Sequence, residues 1–172
     1  RDKDGISAAA LTAEMVLYWR SKGKIILDRL DELYLEHGFF EEKSVNRYFE
    51  GAAGMDVMAG IMAGYRERQP GSFGGLPVIR VRDVRRGLTW ASGKESEARK
   101  IDLPLSDVLQ WWLEDGTVVT VRPSGTEPKI KYYILSRTEA TGDLKRARAD
   151  TAKKTAAIVE EIVATLAAAA GN

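Results

Sequence analysis

Thr120-Val121-Arg122-Pro123-Ser124-Gly125-Thr126-Glu127-Pro128-Lys129-Ile130-Lys131-Tyr132-Tyr133 decides how this chain is read. A polar loop hangs between two apolar, β-branched stretches. Residues 117–122 and 129–135 alternate with the two-residue period of strands, and Pro123 and Pro128 bracket the loop and restrict its conformations. Arg122 can offer a planar, bidentate pair of charged hydrogen bonds. Ser124 and Thr126 add hydroxyl donors beside exposed backbone amides, and Gly125 removes a Cβ that would hinder close approach. Such a loop suits a phosphate. The bland alternative is a tight turn with an arginine at its lip. Lys129 and Lys131, two apart on one strand face, either bring further charge to the anion or are solvated strand lysines.

Outward from this loop the pattern is that of an α+β domain. Residues 107–113 read as a strand that the Glu114-Asp115-Gly116 turn closes into a hairpin with residues 117–122. Upstream, residues 78–84 alternate as a strand, and residues 85–104 look polar and irregular. Downstream, an alanine-rich helix spans about residues 143–169. Residues 40–49 have strand character, with Ser44, Asn46 and Tyr48 on one side and Val45, Arg47 and Phe49 on the other. Met55, Met58, Ile61, Met62 and Tyr65 trace a helix ending near Arg68, and residues 69–77, rich in glycine and proline, form a loop.

Two helices precede this domain. Leu11, Met15, Tyr18 and Trp19 mark an amphipathic helix over residues 6–22, capped by Asp4 or Ser7. Ile26, Leu30 and Leu33 mark a second over residues 25–37, and Gly38 stands where a left-handed terminator belongs. The expected order is α-α-β-α-β-β-β-β-α. A boundary near Gly38 divides residues 1–38, read as a helical remnant of a preceding domain, from residues 39–172.

Composition narrows the function classes. The 172 residues hold 26 basic and 25 acidic side chains, so no strong overall field favours nucleic acid or an anionic membrane. There is no cysteine, which excludes disulfides and thiolate metal sites and suits a reducing cytoplasm. No apolar run approaches the roughly 20 residues that cross a bilayer. His37, the single histidine, sits at a helix carboxy terminus, where the dipole favours its charge, and it is not read as catalytic. Trp111 and Trp112 are adjacent on a strand and must face opposite ways, one into the core and one to the surface or an interface. Arg80, Arg82, Arg85 and Arg86 read as a solvated sheet edge. Asp2 and Asp4 are read as helix-capping rather than metal-binding.

The loop and the strand after it resemble the phosphate-binding loop of the last domain of the phosphohexomutases, the phosphoglucomutase and phosphomannomutase family. Three more segments agree in order. Residues 1–7, Arg-Asp-Lys-Asp-Gly-Ile-Ser, resemble the stretch after that family's sugar-recognising loop, Phe49-Glu50-Gly51 its approach to the last domain, and residues 73–77 its loop before a central strand. The resemblance implies a fold related to the TATA-binding protein, an antiparallel sheet with helices on one face, acting as a mobile lid. It implies that Arg122, Ser124, Gly125 and Thr126 bind the phosphate that is not being transferred, and that Lys3 contacts substrate. An arginine that some relatives carry further along the next strand has no counterpart, since that region offers Lys131, Tyr132 and Tyr133.

The resemblance further implies a cytoplasmic isomerase that interconverts hexose 1-phosphate and hexose 6-phosphate. Its cofactors would be magnesium and a hexose 1,6-bisphosphate intermediate. The family's phosphoserine context, its aspartate and glycine run for magnesium and its paired glutamates with serine are absent from these residues. The chain therefore reads as a carboxy-terminal portion with no catalytic residue of its own, a partner to missing amino-terminal domains, with no nucleic-acid or membrane partner expected. The competing class is a non-catalytic binding module, either a sugar-phosphate sensor or a nucleic-acid binder using the sheet face.

Overall fold

The computed structural model describes residues 3–50, 53–169 and 171. The central residues form strands because their apolar side chains alternate, and one antiparallel sheet collects them. Its order is β1 (Phe39–Tyr48), β8 (Lys129–Thr138), β7 (Val118–Pro123), β6 (Leu109–Leu113), β3 (Leu76–Asp83), β4 (Leu88–Ala91) and β5 (Arg99–Lys100). The two-residue β2 (Ser72–Phe73) pairs with β3 off this path. The family's expected architecture is thus present, an antiparallel sheet with α3 (Gly54–Glu67) and α4 (Leu144–Ala169) on one face.

That covered face is the core. Leu109, Trp111, Leu113, Val119, Val121, Ile130, Tyr132 and Ile134 point toward Met58 and Met62 of α3 and Ile158, Ile162 and Leu166 of α4. Tyr65 and Phe73 tilt against Trp111 at 5.0 and 5.2 Å between ring centres, and the indole N–H donates to the Gln69 side-chain oxygen at 2.8 Å. Period two then sends Gln110, Trp112, Val118, Thr120, Tyr133 and Leu135 to the opposite, open face. Trp111 is therefore the core tryptophan and Trp112 the half-buried one on the open face.

Residues 85–104 depart from their irregular reading. Leu88–Ala91 pairs with β3 and Arg99–Lys100 with β4, with a single 3-10 turn, Glu95–Glu97, between them. Strands of four and two residues are too short to show a period, and each is placed by its neighbour, β4 by β3 and β5 by β4. It follows that Arg80 and Arg82 are on no sheet edge, because β3 lies between β4 and β6, and that Arg85 and Arg86 stand in the turn after β3. Arg80 and Arg82 lie over the Trp112 ring at 3.9 and 4.7 Å from its centre, Arg85 sits 3.9 Å from the Asp107 carboxylate and Arg86 pairs with Glu95.

Helix α1 (Gly5–Ser21) starts where Asp4 accepts hydrogen bonds from the Ser7 amide at 3.0 Å and the Ser7 hydroxyl at 2.8 Å. Asp4 is thus the cap, whereas Arg1 and Asp2 lie outside the described residues. Helix α2 (Ile26–His37) ends at Gly38, whose φ of 99° few other residues adopt. No residue of either helix is buried, and Leu11, Met15, Tyr18 and Leu30 remain exposed. His37 is exposed at the end of α2, 3.6 Å from the Glu36 carboxylate.

Candidate functional site

The loop of residues 124–128 joins β7 to β8 at one end of the sheet. Register places Arg122 directly opposite Lys131, and Lys131 directly opposite Asn46 on β1. One step further along, the Ser124 amide donates to the Lys129 carbonyl at 2.8 Å, and Lys129 is registered opposite Tyr48. Because these positions share parity along their strands, Arg122, Lys131 and Asn46 form one row on the open face, with Ser124, Lys129 and Tyr48 in the next. Cross-strand neighbours have Cβ atoms about 4.5–5.5 Å apart, so all six side chains surround one small patch.

The patch gathers three cations, Arg122, Lys129 and Lys131, with Glu127 of the loop as an electrostatic neighbour of Lys129. Arg122 is exposed and Lys131 half-buried, and among the described residues neither makes a side-chain hydrogen bond or ion pair. Like charges set directly opposite each other in a sheet are destabilising. Lys129 is different: its ammonium donates to the Tyr48 hydroxyl at 2.6 Å and lies 4.5 Å from that ring's centre. The hydrogen bond to Tyr48 raises the Lys129 pKa above the ordinary lysine value, against a smaller opposing effect of burial, so the amine is charged at neutral pH.

The loop is tied down from within and from behind. The Ser124 hydroxyl oxygen accepts from the Thr126 and Glu127 amides at 3.4 and 3.3 Å, and the Lys129 amide donates to the Glu127 carbonyl at 2.7 Å. The Thr126 amide is thus not simply exposed, as the sequence suggested, although a contact of that length is weak beside a bond to a charged acceptor. Behind the loop, the Phe49 amide donates to the Pro128 carbonyl at 2.8 Å. A Cβ on Gly54, in the first turn of α3, would stand 2.6 Å from the Phe49 carbonyl oxygen and 2.9 Å from Pro128 Cβ, so only glycine allows this closeness. Gly125 is exposed with open space where a Cβ would project, leaving an approach for a ligand.

Arg122, Ser124, Gly125, Thr126, Lys129 and Lys131 are therefore brought together. Tyr132 is wholly buried against the helices and leaves Lys131 as the cation that faces Arg122. Lys3 is exposed, with φ of 62°, one residue before the cap of α1, a helix that packs on α2. Gly51 lies outside the described residues. Asn46 and Tyr48 were missed as site residues because they lie about 80 positions away in the chain. Their placement on one side of a strand was visible, but not which strand they would meet. Among the described residues no group of three or more histidine, aspartate or glutamate side chains could hold a metal ion.

Comparison with known proteins agrees with this architecture. Residues 91–167 match the phosphoglucomutase/phosphomannomutase C-terminal domain. A phosphoglucomutase of Staphylococcus epidermidis is 32% identical over 134 residues, covering 78% of this chain and 24% of that protein. A phosphoglucomutase of Staphylococcus haemolyticus is also 32% identical over 134 residues, with the same coverage. One of Staphylococcus saprophyticus is 30% identical over 139 residues, covering 81% of this chain and 25% of its own length. The chain thus spans about a quarter of the length of these relatives. With the antiparallel sheet, the helices on one face and the loop in place, the chain belongs to the phosphoglucomutase/phosphomannomutase family through its C-terminal domain.

Proposed function

We propose that residues 122–131 form the cradle for the non-transferring phosphate of a hexose phosphate in a cytoplasmic phosphohexomutase, which interconverts the 1-phosphate and the 6-phosphate through a bisphosphorylated intermediate. The observation that carries this reading is the Arg122 and Lys131 pair, two cations held side by side with no anionic partner among the described residues. A dianionic phosphate removes the repulsion and gives both side chains a charge-assisted hydrogen-bond acceptor. Arg122 takes two phosphate oxygens in its fork, Lys131 supplies the second charge, and the Ser124 and Thr126 hydroxyls and the Gly125 amide complete the cradle.

The work of such a site is positioning. Fixing the far phosphate aims the reacting hydroxyl at a nucleophile held elsewhere, which turns an encounter into an oriented, effectively intramolecular step. Because the bisphosphate must turn end for end, the site contacts only phosphate and accepts either end of the sugar. The described residues fit no magnesium ion; the metal and the phosphorylated nucleophile are assigned to the remainder of a longer protein, and this chain alone binds without transferring. Residues 1–38, whose two helices contain no fully buried residue, are assigned to the preceding domain of that protein, with Lys3 reaching substrate from it.

The test is a nuclear magnetic resonance titration with glucose 1-phosphate that follows the amides of Ser124, Gly125 and Thr126. Shifts confined to this loop and lost in Arg122→Ala support the cradle. Unchanged binding in Arg122→Ala would reduce the loop to an ordinary turn. A steep salt dependence over many contacts would favour a nucleic-acid surface instead.

A further inference from the structure

Lys129 is the one cation of the cradle whose side chain is already held. Tyr48 ends β1 and is registered opposite it. Two different contacts restrain the same ammonium: the phenol oxygen accepts from Nζ at 2.6 Å, and the ring centre lies 4.5 Å from Nζ. The hydroxyl sets how far the four-carbon stem reaches, and the ring sets on which side it lies. A tyrosine does this without neutralising the charge, as a carboxylate would. Of the three ammonium hydrogens one is used, and two remain for an anion.

The strand that carries Tyr48 is itself coupled to the loop. The next residue, Phe49, is buried and donates its amide to the Pro128 carbonyl at 2.8 Å, so β1 ends against the loop's last turn. Tyr48, in contrast, is 56% exposed and contributes little to the core. An exposed aromatic residue on a lysine at the margin of an anion cradle has more to do with the lysine than with folding.

We infer that Tyr48 is a positioning residue of the phosphate site, holding the Lys129 ammonium beside the loop with its charge and two of its donor hydrogens available to the ligand. The inference rests on the phosphate-cradle reading of residues 122–131. The raised pKa of Lys129, due first to its hydrogen bond with Tyr48, agrees with it.

The experiment is a double-mutant cycle on the 172-residue chain with glucose 1-phosphate as the probe, read by loop amide shifts and by the Lys129 ε-methylene signals. Tyr48→Phe keeps the ring and loses the hydroxyl, and it is expected to weaken binding about fivefold, the scale of one hydrogen bond. Tyr48→Leu loses both contacts and weakens it further, and in each variant the ε-methylene signals move toward those of a free lysine while the unfolding midpoint stays put. In a Lys129→Met background Tyr48→Phe has no further effect on affinity. An equal effect of Tyr48→Phe in that background would overturn the inference, as would unchanged affinity in Tyr48→Phe when Arg122→Ala abolishes binding. Unchanged affinity in Arg122→Ala would overturn the cradle reading itself, and the inference with it.

Discussion

Arg66 on α3 grips a carboxylate that has no access to water: its Nε and one terminal nitrogen donate to the two oxygens of Asp83 at 2.8 and 3.2 Å, and the Asp83 side chain is fully buried. The same guanidinium donates to Asp107 at 2.6 Å, and the Arg85 and Arg86 amides donate to Asp83. This cluster ties α3 to the end of β3 and to the segment leading into β6. Removing one partner of a buried pair leaves the other charge unpaired, so Arg66→Met is expected to lower unfolding free energy by about 3–5 kcal/mol in urea titration. Asp107, a third exposed, contributes less, and Asp107→Asn is expected to lose about 1 kcal/mol.

The facing Arg122 and Lys131 imply opposite effects on stability and binding. Lys131→Thr removes a like-charge neighbour and is expected to raise stability by a few tenths of a kcal/mol, about the scale of cross-strand pairs. It also removes one charged donor to phosphate and is expected to weaken glucose 1-phosphate binding roughly tenfold. Urea unfolding and ligand titration on one sample measure both changes. A loss in stability with unchanged affinity would mean that Lys131 serves the sheet rather than the ligand.

Gly54 couples a helix to the loop. Alanine there forces its Cβ toward the Phe49 carbonyl and Pro128, at 2.6 and 2.9 Å if nothing moves. Gly54→Ala is expected to lose about 1–3 kcal/mol through overpacking, despite alanine's better helix propensity. Displacement of Pro128 should also shift the Gly125 and Thr126 amides in the ligand-free protein and weaken phosphate binding. Gly60, in the same helix with nothing near its Cβ position, should be stabilised by alanine and so serves as the control.

Asp115, in the turn between β6 and β7, gives a prediction in pH. Burial pushes its carboxyl upward, but hydrogen bonds from Lys154 and from the Thr117 amide and hydroxyl outweigh burial and hold its pKa below the ordinary aspartate value. A carboxyl depressed by folding contributes its full stabilisation above its unfolded pKa of about 3.9, and loses it as pH falls through the lower folded value. Asp115→Asn should therefore cost stability at pH 7 and flatten the fall in stability below about pH 4. Thermal unfolding across pH 2–7 measures the change in slope.

Much of the fold was legible locally. The caps at Asp4 and Gly38, the alternation through residues 109–135 and the helical spacing of Met55, Met58 and Met62 each act within a few residues, so they can be read in order along the chain. The loop from Arg122 to Pro128 was legible for the same reason, because its donors and its prolines are consecutive. The strands in residues 85–104 were not, since four and two residues show no period and their placement comes from neighbouring strands, β3 for β4 and β4 for β5. The basic run was misread as an edge because strand order is a property of the sheet and not of the strand.

By itself, the sequence determined that Trp111 and Trp112 face opposite ways, that a polar loop sits between two strands, and that Lys129 and Lys131 share a side. Only the tertiary structure decided that α3 and α4 cover the face of Trp111, that Lys131 meets Arg122, and that Tyr48 comes across from β1 to hold Lys129. Side-chain direction along a strand follows from bond geometry over two residues. Which strands become neighbours depends on burying one apolar face against helices distant in the chain, and that choice is made by the whole core at once.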